Sequence, residues 1–291
     1  MNVRRTIDRI ERSGAGTPPV TVRELRAVDE LRAASDLLAA IWERDPKARQ
    51  VSVSLLRALS MTDNYVAGAY AGERMVGASA GFRIGDRNGL HSHITGVDRR
   101  AQARNIGFTL KTHQRDWAAA RGLDVITWTF DPLVRRNAHF GLVKLGARAT
   151  TFLRNVYGPM DDALNNGDES DRLVLEWSVR PEPTPDPGQH PLRASPAPVP
   201  LISVSASGQP EAAGWSGTTA SVLLPDDIET MRVHQPALAR AWRTAVRSVL
   251  EPALPGGATI VAFDREHGYI LHRPALLPRH DPAADAGGGG A

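Results

Sequence analysis

Residues 97–111 read VDRRAQARNIGFTLK, and the fold turns on what this stretch joins. The residues leading into it, LHSHITGV at 90–97, read as a strand. After it, IGFTLKTHQRDWAAARG at 106–122 places Ile106, Leu110, His113 and Trp117 on one side of a helix, with Gly122 suited to the C-cap. A helix start exposes unpaired backbone N–H groups and carries about half a positive charge. Phosphates bind there when no side chain covers the backbone. Gln102 to Gly107 form the turn, and Arg99, Arg100, Arg104 and Lys111 surround it. Taken alone, the stretch has two readings: a seat for a phosphate-bearing ligand, or a plain corner between a strand and a helix.

Working outward, the pattern predicts a strand at VTVREL (20–25) and a helix over VDELRAASDLLAAIWERD (28–45), with Leu31, Ala34, Leu38, Ile41 and Trp42 on one face. NYVAGAYAGERMVGASAGFRI (64–84) reads as two strands around a tight turn at Ala71-Gly72-Glu73-Arg74. DVITWTF (124–130) reads as a buried strand, and a loop at Asp131-Pro132 precedes a helix near Arg136 to Leu145. ATTFLRNVYG (149–158) and DRLVLEWSV (171–179) are two further strands. The resulting order, β-α-β-β-β-α-β-α-β-β, predicts an α+β fold: a mixed, mostly antiparallel sheet flanked by helices.

The ends differ in character. Residues 1–19 read as a flexible arm ahead of a main domain at 20–180, and 181–218 as a Pro/Ser/Gly-rich linker. Residues 219–273 form a β-α-β-β extension whose helix, over 236–254, presents Leu238, Trp242, Ala245 and Val249. Residues 274–291 read as a disordered tail. So short an extension is expected to pack on the main sheet rather than stand alone.

Composition narrows the function classes. The 291 residues are 42% hydrophobic and 23% charged, as in ordinary soluble proteins. No apolar run approaches the roughly 18 residues of a membrane span, and the charged start MNVRRTIDRIERSGAG does not resemble a secretory signal. With no cysteine there is no disulfide, thiolate metal site or cysteine nucleophile. A cytoplasmic location is expected. The formal charge is +3, but acids and bases are interspersed, and the only local basic excess surrounds residues 99–121. That excess suits a small anionic ligand better than nucleic acid.

The sequence Gln102-Ala103-Arg104-Asn105-Ile106-Gly107 resembles the Q/R-x-x-G-x-G/A motif of the GNAT N-acetyltransferase superfamily. There the motif lies between the fourth strand and its helix and holds the pyrophosphate of acyl-coenzyme A. Val97 stands where the superfamily ends that strand, and WTFDPLVRRNAHFGLVKLGA (128–147) resembles its fifth strand and last helix. NVYGPMDDALNNGDESDRLVLEW (155–177) and ARAWRTAVR (239–247) resemble, more narrowly, a bacterial branch of predicted acetyltransferases. The resemblance implies a GNAT acyl-CoA N-acyltransferase fold, acetyl-CoA or another short acyl-CoA as co-substrate, no metal, and Val97 with Gln102, Ala103, Arg104, Asn105, Ile106 and Gly107 as its binding residues. Two positions depart from the pattern. Asn105 replaces the first motif glycine, although Asn tolerates left-handed backbone better than other side chains. Leu142 falls where many relatives carry a tyrosine that protonates the leaving thiolate.

His91 and His93 share one face of their strand. They could be a structural pair; a zinc site lacks an evident third ligand. His91 precedes Gln102 by eleven residues, where histone acetyltransferases of the superfamily place a base glutamate and arylalkylamine N-acetyltransferases a His-x-His. By that resemblance the pair removes a proton, through water, from the acceptor amine. Imidazole, with a pKa of about 6.5, suits that task near neutral pH.

Asp131 and Asn137 flank the loop after the fifth strand, where they could contact pantetheine or substrate; a helix cap is the other reading. Tyr157 could reach the cleft from its strand or be a rim tyrosine, and His139 could replace the lost acid or be a surface histidine. Asp171-Arg172 reads as a structural ion pair or turn contact and Trp242 as core. The expected activity is acyl transfer to a small amine or amino-acid-like acceptor by direct attack on the thioester; the rival is a non-catalytic acyl-CoA-binding protein. Expected partners are a small-molecule amine and, at most, a second copy of the chain in a homodimer, not nucleic acid or a membrane.

Overall fold

The computed structural model describes residues 9–11, 19–42, 49–180 and 197–274. Its main sheet is built from strands β1 (Arg9–Glu11), β2 (Val20–Glu24), β3 (Tyr65–Ala71), β4 (Arg74–Arg83), β5 (Gly89–Val97), β6 (Val125–Phe130), β7 (Arg148–Leu153) and β8 (Arg172–Ser178). They lie in the order β1-β2-β3-β4-β5-β6-β8-β7. Only β5 and β6 run parallel; the other neighbours are antiparallel. Gly72, with φ of 62°, takes the left-handed backbone that the two-residue β3–β4 turn needs at its first position.

Helices cover both faces. On one, α1 (Val28–Trp42) and α2 (Val53–Met61) bury Leu31, Ala34, Leu38 and Leu56 against Val66, Ala78 and Ile94. On the other, α3 (Ile106–Ala119) presses Ile106, Leu110 and Trp117 onto the sheet, joined by the short α4 (Arg135–Ala138). The α+β class expected from the element order is the one observed.

Several expectations need correction. No helix is expected between residues 45 and 64, yet α2 forms there, because the Ser52 side chain accepts the Leu55 N–H and caps nine residues that bury only Leu56. So short an apolar face leaves little periodic signal. The helix expected near Arg136 to Leu145 is one α-turn followed by a wide π-turn over His139–Lys144, in which Leu145 N–H donates to Phe140 C=O. The N-terminal arm was expected to be loose, but β1 pairs with β2; the rest of residues 1–18 lies outside the described residues.

The linker also ends earlier than expected. Residues 181–196 lie outside the described residues, but β9 (Val199–Pro200), β10 (Ile202–Val204) and β11 (Pro210–Ala212) follow, with Leu201 and Ile202 buried. Proline suggested a linker because it cannot donate to a ladder, yet Pro200 sits on an edge strand, where no donor is required. The extension holds β12 (Thr219–Val222), α5 (Ile228–His234), α6 (Pro236–Ala253), β13 (Thr259–Asp264) and β14 (Gly268–His272), with α5 unforeseen. Its sheet, β13-β14-β12-β9, is separate, but Trp242, Val246, Leu250 and Tyr269 belong to the same apolar cluster as Ile126, Leu173 and Leu175. Of the tail expected at 274–291, all but residue 274 lies outside the described residues.

Candidate active site

Strands β5 and β6 pair only from Gly89–Val125 to His91–Thr127. Beyond that point β5 stays with β4 as far as Val97, and β6 stays with β8 as far as Phe130. The two halves of the sheet therefore part at His91 and leave a wedge edged by backbone N–H and C=O groups. The free edge of β5 runs directly into the turn before α3.

The register of β4 on β5 shifts at the same place, from Ala80–Ile94 to Phe82–His91, so that β5 carries an extra residue there. Such a bulge re-aims side chains. Ser92 points to the α3 side, where Lys111 reaches it. His91 and His93 share the opposite side, and the Phe82 ring packs on both, with centroids 5.2 Å and 6.0 Å away. His91 Nδ1 lies 3.0 Å from Thr127 Oγ1. Burial, reinforced by His93 and Lys111, lowers the His91 pKa to about 4; burial also lowers that of His93. Both are neutral proton acceptors at pH 7. Beside them Phe82, Ile84, Arg87, His91, Thr127 and Val174 line an open groove of about 350 Å³.

The turn before α3 is held by Asp98, which accepts the Arg100 N–H and pairs with Arg74. A 3-10 turn over Arg99–Arg104 follows, carrying the backbone of Gln102, Ala103 and Arg104. Asn105 then adopts left-handed backbone, φ 56° and ψ 14°, and its C=O accepts the Phe108 and Thr109 N–H groups. Its side chain is drawn aside: Lys144 Nζ donates to Asn105 Oδ1 at 2.6 Å. Ile106 anchors α3 in the core, and half-buried Val97 packs against the same cluster. A Cβ on Gly107 would meet only ordinary contacts, Phe140 at 3.8 Å and Val97 at 3.9 Å. The protein's own packing does not demand glycine there, whereas an anion seated on the first turn would.

Three expectations change here. Lys111, expected on the rim of this turn, is buried beneath β5, because its place on α3 faces the sheet; Lys144 takes a rim position instead. Asp131 is 7% exposed and bound to protein: Oδ1 accepts the Leu133 N–H, as a turn cap does, and Oδ2 accepts from Arg232 and from Arg243 at 2.8 Å. Its carboxylate is therefore taken up by protein partners, as in the helix-cap reading, and does not face the groove. Tyr157 lies in the loop beyond the end of β7, 53% exposed, with its ring against Arg172, and is not part of the groove beside the histidines. Leu142 lies in the π-turn, half-buried against the core, an apolar side chain that offers no proton donor. Asn137 is exposed on α4, without a side-chain partner among the described residues, and His139 is half-buried nearby.

Sequence reasoning missed the network around Asp131. Arg232 on α5 and Arg243 on α6 both reach Asp168, at 3.0 Å and 2.9 Å, and Arg247 grips Asp171 at 2.9 Å and 2.8 Å. Asp171 and Arg172 make a local contact rather than an ion pair, Arg172 donating to the Asp171 backbone C=O. Among the described residues Arg243 Nη1 has no hydrogen-bond partner, but it lies 3.7 Å from Asp171. These contacts tie the loop between β7 and β8 to the C-terminal helices, and Ala163 N–H ties it to the Trp42 C=O at the end of α1.

Residues 1–132 match the family described as Acetyltransferase (GNAT) domain. Among solved structures, a ribosomal-protein alanine N-acetyltransferase from Escherichia coli is 17% identical with a TM-score of 0.44, covering 57% of this chain and 98% of its own. A Salmonella typhimurium protein described as an acetyltransferase, solved with its cofactor acetyl-CoA, is 15% identical with a TM-score of 0.46, covering 58% and 98%. An N-acetyltransferase from Staphylococcus aureus Mu50 is 14% identical with a TM-score of 0.45, covering 55% and 99%. No curated protein matches the sequence.

Proposed function

We propose that this chain, whose residues 1–132 match the family described as Acetyltransferase (GNAT) domain, transfers a short acyl group, acetyl first among them, from coenzyme A to a small amine. The observation that carries this reading is the continuity between the wedge at His91 and the open first turn of α3. Phosphates held at that turn by Gln102 to Gly107, with Arg99, Arg100 and Lys144 nearby, would direct the thioester arm along the free edge of β5. Coenzyme A supplies an activated acyl carbon; everything else is the work of this chain's residues.

An alkylammonium, with a pKa of about 10, must lose a proton before it can attack. His91 and His93 stand neutral beside the groove and take that proton through water, which is typically worth about 10²- to 10⁴-fold. Burial holds His91 at about 4 and lowers His93 as well. A backbone N–H on the free edge of β5, near Val97, meets the developing oxyanion. Attack is direct, without a covalent enzyme intermediate. The groove is largely apolar, and Arg87 neutralises the nearby Glu176 at 2.6 Å. That lining favours an amine with an apolar body over a polycation.

Thiol release, measured for a set of amines and amino acids with several acyl-CoAs, tests the activity. Calorimetry of coenzyme A against Gly107→Trp tests the site, with affinity expected to fall at least about tenfold, roughly 1.4 kcal/mol. Unchanged affinity would place the phosphates elsewhere.

A further inference from the structure

Lys111 projects from α3 into the core and is 4% exposed. Its Nζ donates to Ser92 Oγ at 2.7 Å and to Gln114 Oε1 at 3.3 Å, and stands 4.2 Å from the centroid of the Trp128 ring. Ser92 belongs to the β5 bulge between the two histidines. Trp128 follows Thr127, the last β6 residue paired with β5. The amine therefore spans both strands at the point where they part, on the side of the sheet that α3 covers.

The surroundings of this lysine are unusual for a structural one. From β5 the facing groups are Ser92 and, through the sheet, the His91 imidazole; from β6, the Trp128 ring; from α3 itself, Gln114. Among the described residues no carboxylate pairs with it. Burial without a counter-charge lowers its pKa to about 7, so near neutral pH the ammonium gives up its proton readily. An aliphatic side chain would fill the same space without that desolvation cost, and perturbed buried groups concentrate where chemistry is done. Meanwhile Leu142 leaves the departing sulfur without a donor from the last helix.

We propose that Lys111 is the general acid that protonates the sulfur leaving at the base of the wedge. The proposal rests on the acyltransferase reading above. The acceptor nitrogen forms its bond to the acyl carbon and gives its excess proton, through water, to His93 or His91. The carbon–sulfur bond breaks with its electron pair on sulfur, and the Lys111 ammonium transfers a proton to that sulfur. The imidazolium returns its proton to solvent, and Lys111 regains one from solvent.

The test uses the full chain and Lys111→Met, which keeps the side-chain volume and removes the amine. Free coenzyme A, bound to each protein, is titrated by the ultraviolet absorbance of its thiolate. The wild-type protein should yield thiolate at a pH about one unit below free coenzyme A, and the variant at or above the free value; identical titrations in the two proteins would overturn the proposal. Acyl transfer should fall about 10²-fold or more in Lys111→Met with acetyl-CoA, and far less with a thioester whose thiol is strongly acidic. An equal fall with both donors would mean that the lysine acts only through structure. A measurement on wild type alone covers a variant that fails to fold: near pH 7.5, coenzyme A should bind several-fold tighter than its desulfo analogue, and equal affinity would overturn the proposal. Absence of coenzyme A binding to wild type would instead sink the acyltransferase reading, and this proposal with it.

Discussion

Two groups of buried charge in this molecule are built in opposite ways. Asp131, Asp168 and Asp171 meet Arg232, Arg243 and Arg247, so that each carboxylate has a guanidinium against it. Burial alone would raise the Asp131 pKa, but Arg243 and Arg232 outweigh it and hold the carboxyl well below the usual range. Among the described residues Lys111 meets only a hydroxyl, an amide and a ring, nothing there offsets its burial, and its pKa falls. The difference separates two uses of a costly group. Charges with full partners join segments of chain; a charge without one keeps its capacity to exchange a proton.

The most severe way to break the comparison is to remove the extension. A chain ending at residue 180 leaves the three aspartates without their arginines and exposes the apolar face that met Trp242 and Tyr269. It should be insoluble or inactive; a soluble, active product, judged by gel filtration and thiol release, would show that the network joins nothing essential. Arg243→Met is the same break at one residue. Loss of one partner from a buried pair typically costs about 3–5 kcal/mol, measurable by urea unfolding. Lys111→Met, by contrast, should cost little or raise stability.

Next in size is the double change His91→Ala with His93→Ala. It should lower kcat/KM for the amine by about 10²-fold at pH 7, in line with lost general-base help, leave coenzyme A affinity nearly unchanged, and recover partly as pH rises and free amine appears. Full activity at pH 7 would make the histidines structural.

Stability against pH sharpens the comparison further. Between about 7 and 10.5 the unfolded chain holds a proton on Lys111 that the folded chain does not, so stability should rise with pH across that window. His91 acts at lower pH: between 6.5 and about 4 its unfolded form takes up the proton, and stability should fall as pH drops. Thermal unfolding of wild type against Lys111→Met should remove only the upper slope; an identical slope in both would mean that Lys111 is solvated. The smallest effect belongs to Glu176→Gln at the exposed Arg87 pair, under about 1 kcal/mol in stability. It should raise KM for a cationic amine, because it leaves Arg87 uncompensated beside the groove.

Much of the fold was legible in the sequence. Gly72, the amphipathic faces of α1, α3 and α6, and the strand around His91 and His93 each carry their signal within a few residues. The site was less so. Asn105 as a stand-in for glycine could be argued from its tolerance of left-handed backbone, but not that Lys144, 39 positions away, holds its side chain aside. Asp131 looked available because it follows a strand in a loop, and nothing local announces Arg243, 112 positions on. The bulge in β5 was hidden as well, since it exists only in the register with β4.

By itself, then, the sequence determined the longer helices and most strands of the main sheet, the turn that opens α3 and the common face of the two histidines, because periodicity and turn chemistry act over a few bonds. Only the tertiary structure decided which charges are neutralised and which are not. Lys111 belongs to a helix whose sequence marks it as one more basic residue near a turn; the sheet packed against that helix makes it a buried amine with no carboxylate. Such a pairing depends on distance through space, and segments far apart in the chain supply it only once they have folded together.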